Sequence, residues 1–372
     1  MSSKEIVQAA APDLLGKLCE RIDREGQITF HDWMQAALYD EHHGYYRRHD
    51  RQRWGREGDY RTSPERSDLF AATFARYFAM LYEELGSPPE WTICEAGAGG
   101  GRFAQGVLET LQDRFPRVFR ATRYVIHELS DGHFPSLRAQ LESFAARIQF
   151  TSLNDVGPLA PGIIFSNELL DAFAVHRVTV AGGKLCEFYV VAGTGGAFAW
   201  RLGPPSSPKL VEYFAASEIK LAEGQVAEVN LKIEEWLTQA AAKLDQGYLI
   251  TVDYGADAVD LYNSAARFAG TLRSYYQHRL IEDVLGRPGE QDITSTVNWT
   301  FVERVTRRLG LKTIKFERQD KFLLEAGLLE ELEWQSWRAT TEAEKLRLSV
   351  AAREMILPSG MASSFQVLVQ RR

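Results

Sequence analysis

Apolar residues recur at helical spacing near the start of the chain, at Ile6, Ala9, Ala10, Leu14 and Leu18, and the pattern returns over residues 30–39, so both stretches predict amphipathic helices. Up to Pro88-Pro89 the chain reads as helix and loop. The proline pair breaks that pattern, and a strand-sized apolar run over 91–95 follows and stops at the glycines that begin at Gly97. Beyond it, strand-like runs at 124–128, 148–153, 163–166, 248–252, 312–316 and 365–369 are interleaved with helical runs at 102–115, 136–146, 228–244 and 301–309. This alternation predicts an α/β fold with a twisted, mainly parallel sheet covered by helices on both faces. Between Val175 and Trp200 the pieces become short and β-rich, with Gly182-Gly183 and Gly193-Thr194-Gly195-Gly196 as turns, which predicts an inserted antiparallel hairpin or two. The expected division is a helical N-terminal segment over 1–88 and a main domain over 89–372, with a β-rich insertion at about 175–225 and a loop-rich stretch at about 256–300.

Composition changes this picture mainly by exclusion. Hydrophobic residues at 45% and charged residues at 25% supply a sizeable core and exclude disordered and low-complexity classes. A net charge of −7 argues against a surface that binds nucleic acid or anionic lipid throughout. The one basic run with an aromatic inside it, from Arg47 and Arg48 to Trp54 and Arg56, is interrupted by Asp50 and reads as a solvated loop, so nucleic acid is not the expected partner. Cys19, Cys94 and Cys186 are too few and too scattered for a disulfide framework or a C-x-x-C metal cluster, which suits a reducing compartment and predicts no metal. No signal or transit peptide is evident and the longest apolar runs are strand-sized, so the expectations are no membrane insertion and a cytoplasmic location.

Candidate chemistry begins at Glu95-Ala96-Gly97-Ala98-Gly99-Gly100-Gly101, which follows the first core strand and precedes a helix, where backbone amides can receive a polar ligand. The dinucleotide fingerprint G-x-G-x-x-G needs glycine at position 102, where this chain has Arg102. The pattern E-x-G-x-G-x-G resembles instead the first motif of class I methyltransferases that use S-adenosylmethionine (SAM), with Glu95, Gly97, Gly99 and Gly101 at the motif positions. Glu128 ends the next strand, where a carboxylate can accept hydrogen bonds from both ribose hydroxyls of an adenosyl group. Asn154 and Asp155, after the third strand, are placed to meet the adenine edge, although Asn-Asp is also common turn chemistry.

Five further stretches occur in order: Gly58-Asp59-Tyr60-Arg61-Thr62-Ser63-Pro64-Glu65, Ser166-Asn167-Glu168-Leu169-Leu170-Asp171-Ala172, Val252-Asp253-Tyr254-Gly255, Gly270-Thr271-Leu272-Arg273 and Gly289-Glu290-Gln291-Asp292-Ile293-Thr294. Together they resemble the MidA-like family of SAM-dependent methyltransferases, which includes a mitochondrial complex I assembly factor that methylates a protein arginine. The resemblance runs roughly from Gln27 to Gly310. It implies a class I (Rossmann-like) methyltransferase domain with SAM as cofactor, S-adenosylhomocysteine as product and a protein as acceptor. It makes Asp59, Thr62, Ser63 and Glu65 a wall of the SAM pocket, supplied by a segment that folds back over the cleft. One departure is that the turn after Asn167 and Asp171 has Ala174 where the family pattern has proline.

Arginine is a demanding acceptor because its guanidinium is always charged, so a site must hold the planar fork with carboxylates and aim one nitrogen at the methyl group. Glu168 and Asp171 follow the fourth core strand, at the sheet end where open α/β folds bind ligands, and with Asn167 they are the candidate catalytic residues. The alternative is that Asn167 and Asp171 cap a following helix while Glu168 faces water. Two other functions stay open at this level: transfer to another acceptor class, such as a nucleic acid base or a small molecule, and a non-enzymatic assembly factor that binds SAM.

Overall fold

The computed structural model describes residues 13–48, 67–128, 134–277, 279–357 and 364–372. Helix α1 (Leu14–Glu25) starts where the Asp13 carboxylate accepts the Gly16 N–H at 2.8 Å and ends at left-handed Gly26, burying Leu14, Leu18 and Ile22. It therefore runs past Leu18, the last position of the predicted pattern, because its buried stripe continues to Ile22. Helix α2 (Phe30–Tyr39) is capped by Thr29 and buries Phe30, Trp33, Met34, Ala37 and Leu38. Helix α3 (Asp68–Glu84) is capped by Ser67 and is buried around most of its circumference.

After Pro88-Pro89 come β1 (Trp91–Ala96), α4 (Arg102–Arg114), β2 (Thr122–His127), β3 (Ile148–Phe150) and β4 (Gly162–Asn167). The insertion holds β5 (His176–Ala181), β6 (Lys184–Ala192), β7 (Phe198–Gly203) and β8 (Val226–Val229), and α5 (Lys232–Lys243) then leads to β9 (Gly247–Ala256). A ribbon of β10 (Arg273–Tyr276) and β11 (Asp292–Thr294) precedes α6 (Trp299–Arg308) and β12 (Lys312–Arg318). Helices α7 (Gln319–Glu325), α8 (Leu328–Arg338) and α9 (Glu342–Ile356) lead to the last strand, β13 (Phe365–Arg371).

The main sheet has the order β12-β13-β9-β4-β1-β2-β3. Strands β3, β2, β1, β4 and β9 are parallel, and β13 runs antiparallel to both β9 and β12. Its central strands are apolar on both faces, as a sheet covered twice requires. Trp91, Ile93, Tyr124, Phe165 and Ile250 pack on one side with α3 and α4, while Cys94, Ala96, Val125, Ile164 and Leu249 pack on the other with α5 and α6.

The boundary expected near Pro88 does not separate two cores. The Phe74 ring lies 5.1 Å from that of Phe165 on β4, and Phe103 of α4 stacks on Phe165 at 4.3 Å, so α3 belongs to the main core. Helices α1 and α2 belong elsewhere. They close over a second sheet in which β6 is flanked by β5 and β7, β8 joins beyond β5, and Ile28–Thr29 adds a short edge that pairs with Val190 and Tyr189. The insertion is thus larger than one or two hairpins. The predicted helix at 228–244 begins instead as β8, because Glu228 pairs with Arg177 across the sheet before the chain turns into α5.

Candidate functional site

The carboxyl ends of β1 and β2 build one half of the cleft. From Ala96 the chain crosses to α4 through Gly97, Gly99 and Gly101, with φ of 74°, 54° and 79°, values that residues with a side chain adopt only under strain. A Cβ on Gly97 would lie 3.1 Å from Leu169 Cδ1, and one on Gly101 would lie 2.9 Å from Leu137 Cδ2, so the loop is pressed from both sides. Gly101 caps the 13-residue α4 without any side-chain hydrogen bond. The first-turn amides and the positive end of the helix are therefore left for a polar ligand, and such a cradle could receive a carboxylate.

Glu95 lies beneath this loop. It is buried, and its Oε2 accepts the Tyr124 hydroxyl at 2.7 Å. Burial pushes its carboxyl up to about 7, against the Tyr124 hydrogen bond and with a smaller contribution from the charge of Glu128. Its carboxylate thus supports the sheet end on which the loop rests. Glu128 follows β2 directly and is half-buried. The neighbouring His127 accepts the Leu153 N–H on Nδ1 at 3.0 Å, and burial lowers its pKa, so it holds the next turn as a neutral ring. Asn154 and Asp155 are exposed on that turn, where Asp155 accepts the Ser152 hydroxyl at 2.8 Å and Lys243 donates to the Asn154 carbonyl at 2.7 Å.

The other half is assembled from four separate stretches. Beyond β4 the chain turns at Glu168, which has φ of 52°, a conformation of order 1 kcal/mol or more for a residue with a side chain and one that gathers at functional sites. Asn167 donates to Glu168 Oε1 at 3.2 Å. Asp253 on β9, fully buried, clamps this turn: its Oδ2 accepts the N–H of Leu170 at 2.9 Å and of Asp171 at 3.3 Å, and its Oδ1 accepts the N–H of Tyr254 at 2.9 Å. Burial pushes Asp253 up to about 8, with the charge of Glu168 adding to it and the backbone donors opposing. Asp171 is also buried, and desolvation, then Asp253 and Glu168, hold its carboxyl well above the usual range. Its Oδ1 has no hydrogen-bond partner among the described residues.

The remaining walls carry tyrosines and a further acid. Desolvation, then the charge of Asp171, holds the Tyr254 hydroxyl well above its ordinary range, and the Ser295 N–H donates to the Asp171 carbonyl at 3.0 Å. From α2, Tyr39 donates to the Ala172 carbonyl at 2.9 Å, and from the loop after it Tyr46 donates to Asp292 Oδ1 at 2.6 Å, with the two rings 5.4 Å apart. The Arg273 guanidinium stands 5.7 Å from the Tyr254 ring. Clustered carboxylates that raise one another's pKa, one with a buried unpaired oxygen, form a place where a cation is stabilised.

The structure therefore brings Glu168 and Asp171 together with Asp253. The capping alternative fails, because no helix follows: the chain passes from Asp171 through Ala174 directly into β5. The two halves touch at Gly97 and Leu169. Asp59, Thr62, Ser63 and Glu65 lie outside the described residues. Sequence reading missed Tyr39, Tyr46 and Tyr124 and assigned no role to Asp292, although Asp292 lies in one of the motifs already singled out.

Comparison with known proteins shows the family. Residues 73–317 match the family described as "Putative S-adenosyl-L-methionine-dependent methyltransferase". The fold is similar to that of a COG1565 superfamily member from Burkholderia thailandensis bound to S-adenosyl-homocysteine, with a TM-score of 0.85 and 29% identity over 96% of this chain and 92% of that one. Among curated proteins, the chain is 25% identical over 331 residues to the mitochondrial protein arginine methyltransferase NDUFAF7 homolog of Drosophila melanogaster, covering 80% of this chain and 70% of that protein. The mitochondrial protein arginine methyltransferase NDUFAF7 of Homo sapiens is 23% identical over 331 residues, covering 82% and 71%. These relatives are named as mitochondrial, which overturns the cytoplasmic location expected from the sequence. Among the described residues no helix is long and apolar enough to cross a membrane.

Proposed function

We propose, from the premise that the chain belongs to this family of SAM-dependent methyltransferases, that it methylates an arginine side chain of a protein. The cofactor is SAM. We assign its binding to the loop of Gly97, Gly99 and Gly101 above Glu95, to Glu128 for the ribose, to Asn154 and Asp155 for the adenine side, and, by family resemblance, to Asp59, Thr62, Ser63 and Glu65. When bound, it supplies an electrophilic methyl group on a positively charged sulfur.

The observation that carries the acceptor reading is the buried Asp171, with an unpartnered Oδ1, beside Glu168 and Asp253. An acceptor that arrives neutral needs no such cluster. A guanidinium, permanently charged and carrying five N–H donors in a plane, does. For each methyl group gained the acceptor nitrogen loses one proton, and Glu168, half-buried and held at a strained backbone position, is the group we assign to orient the cation and receive it. Asn167 steadies Glu168 through its amide, and Asp171 holds the far side of the guanidinium. The names of the curated relatives support the same acceptor.

The test is incubation with SAM labelled in the methyl group and a lysate from a strain lacking the protein, followed by acid hydrolysis of the labelled fraction. Radioactive methylarginine in protein is the expected product. Label in nucleic acid or in a small molecule overturns the acceptor class, and stabilisation by SAM without any transfer overturns catalysis.

A further inference from the structure

We propose that Asp292 is a second acceptor-binding carboxylate, oriented by Tyr46, and that together with Asp171 it selects a planar guanidinium over a compact ammonium; the inference rests on the arginine reading above. Asp292 is buried on β11, and its Oδ1 accepts the Tyr46 hydroxyl at 2.6 Å, a short bond that fixes the plane of the carboxylate. Geometry ties it to Asp171: the Tyr46 ring lies 5.4 Å from that of Tyr39, whose hydroxyl donates at 2.9 Å to the carbonyl of Ala172, the residue after Asp171. The charges of both acids, of Glu128 and of Arg47 are accordingly felt at the Tyr39 hydroxyl.

The local architecture holds this arrangement from both directions. Ser295, three residues beyond Asp292, donates its N–H to the Asp171 carbonyl at 3.0 Å. On the other side Gly289 allows the loop to lie against the N-terminal helices, since a Cβ there would be 2.3 Å from the His43 carbonyl oxygen. Loop and helices also share a core through Val284, Leu285 and Ile293 with Trp33 and Met34. Two carboxylates that reach one space from different elements suit a ligand with donors along two edges. Guanidinium has that shape, whereas an ammonium concentrates its charge at one point and can sit well against only one of them. The unpartnered Oδ1 of Asp171 marks where the second edge would be received.

The experiment is calorimetric titration of the full-length protein, loaded with S-adenosylhomocysteine, with a short acetylated and amidated peptide carrying one arginine and with the same peptide carrying lysine. The wild-type protein should prefer arginine by about ten-fold or more. Asp292→Asn should remove most of that preference by weakening the arginine peptide about ten-fold, with S-adenosylhomocysteine affinity within a few-fold. Tyr46→Phe, which keeps the carboxylate and removes the hydroxyl that donates to it, should narrow the preference by about three-fold. Unchanged arginine affinity in Asp292→Asn overturns the role of Asp292 and leaves the arginine reading standing. Should that variant not fold, an unaltered preference in Tyr46→Phe overturns it equally. Equal or absent binding of both peptides to the wild-type protein overturns the arginine reading and this inference together.

Discussion

The two halves of the cleft solve opposite problems. The half we propose for the cofactor is built from consecutive residues at the ends of adjacent strands, and above the buried Glu95 it offers backbone amides at a helix start. The acceptor half draws on α2, the β4 turn, the end of β9 and the ribbon strand β11, and it stores buried carboxylates whose charges oppose one another. A neutral amide cradle is stable whether or not it is filled. Buried acids that raise one another's pKa are strained, and removing a charge partner from such a site costs several kcal/mol. The difference teaches that buried charge is concentrated in the half we propose for the acceptor.

The sharpest way to break this comparison is Glu168→Gln, which keeps size and one acceptor oxygen but loses the charge. Methyl transfer should fall by about two orders of magnitude or more, while SAM affinity stays within a few-fold by calorimetry. Collapse of SAM affinity would show that the halves are not separate. The reciprocal change, Glu128→Ala, should weaken SAM by about 30-fold to 150-fold through lost charge-assisted bonds of about 2 to 3 kcal/mol. Unchanged affinity in a folded variant would remove Glu128 from the ribose site.

Titration probes the strain itself. Asp253 is raised to about 8 and Glu95 to about 7, whereas in the unfolded chain such carboxyls titrate near 4. Between those limits the folded protein holds protons that the unfolded chain has released, so the associated stability is complete below about pH 4 and is lost as pH rises through about 7 to 8. The melting temperature of the ligand-free protein should therefore fall from pH 5 to pH 8. Asp253→Asn should flatten the part of that slope belonging to the acceptor half and leave the Glu95 part in place. A slope unaffected by the substitution would mean that Asp253 is ionised throughout.

The smallest expected effect is at the seam between the halves. Tyr39→Phe removes one hydrogen bond, to the Ala172 carbonyl, worth about 1 kcal/mol. The melting temperature should drop by about 2 °C and transfer should decrease a few-fold, with SAM binding unchanged. An effect on SAM as large as that on transfer would place Tyr39 with the cofactor instead.

Much of the cofactor half was legible because its signals are local. The change from strand period to glycines to helix period marks the loop without any knowledge of distant partners, and the β/α alternation that carries it also fixed the sheet class. Glu95 shows the limit: its spacing marks the motif, but only the neighbouring strand reveals that its carboxylate meets Tyr124. The helix anticipated at 228–244 failed at its start for a similar reason, since the pairing of Glu228 with Arg177 overrides local propensity. Likewise, nothing near Pro88 indicates that α3 completes the main core while α1 and α2 close the inserted sheet.

By itself, then, the sequence determined the fold class, the glycine loop, the acidic strand end and the candidacy of Glu168 and Asp171, because each is encoded within a few residues of itself. Tertiary structure alone decided that Tyr39, Tyr46, Asp253 and Asp292 share one space with them. They lie far apart along the chain, and the bond from Tyr46 to Asp292 alone spans 246 positions. Burial and mutual charge, the quantities that give them their chemistry, exist only once the chain has closed.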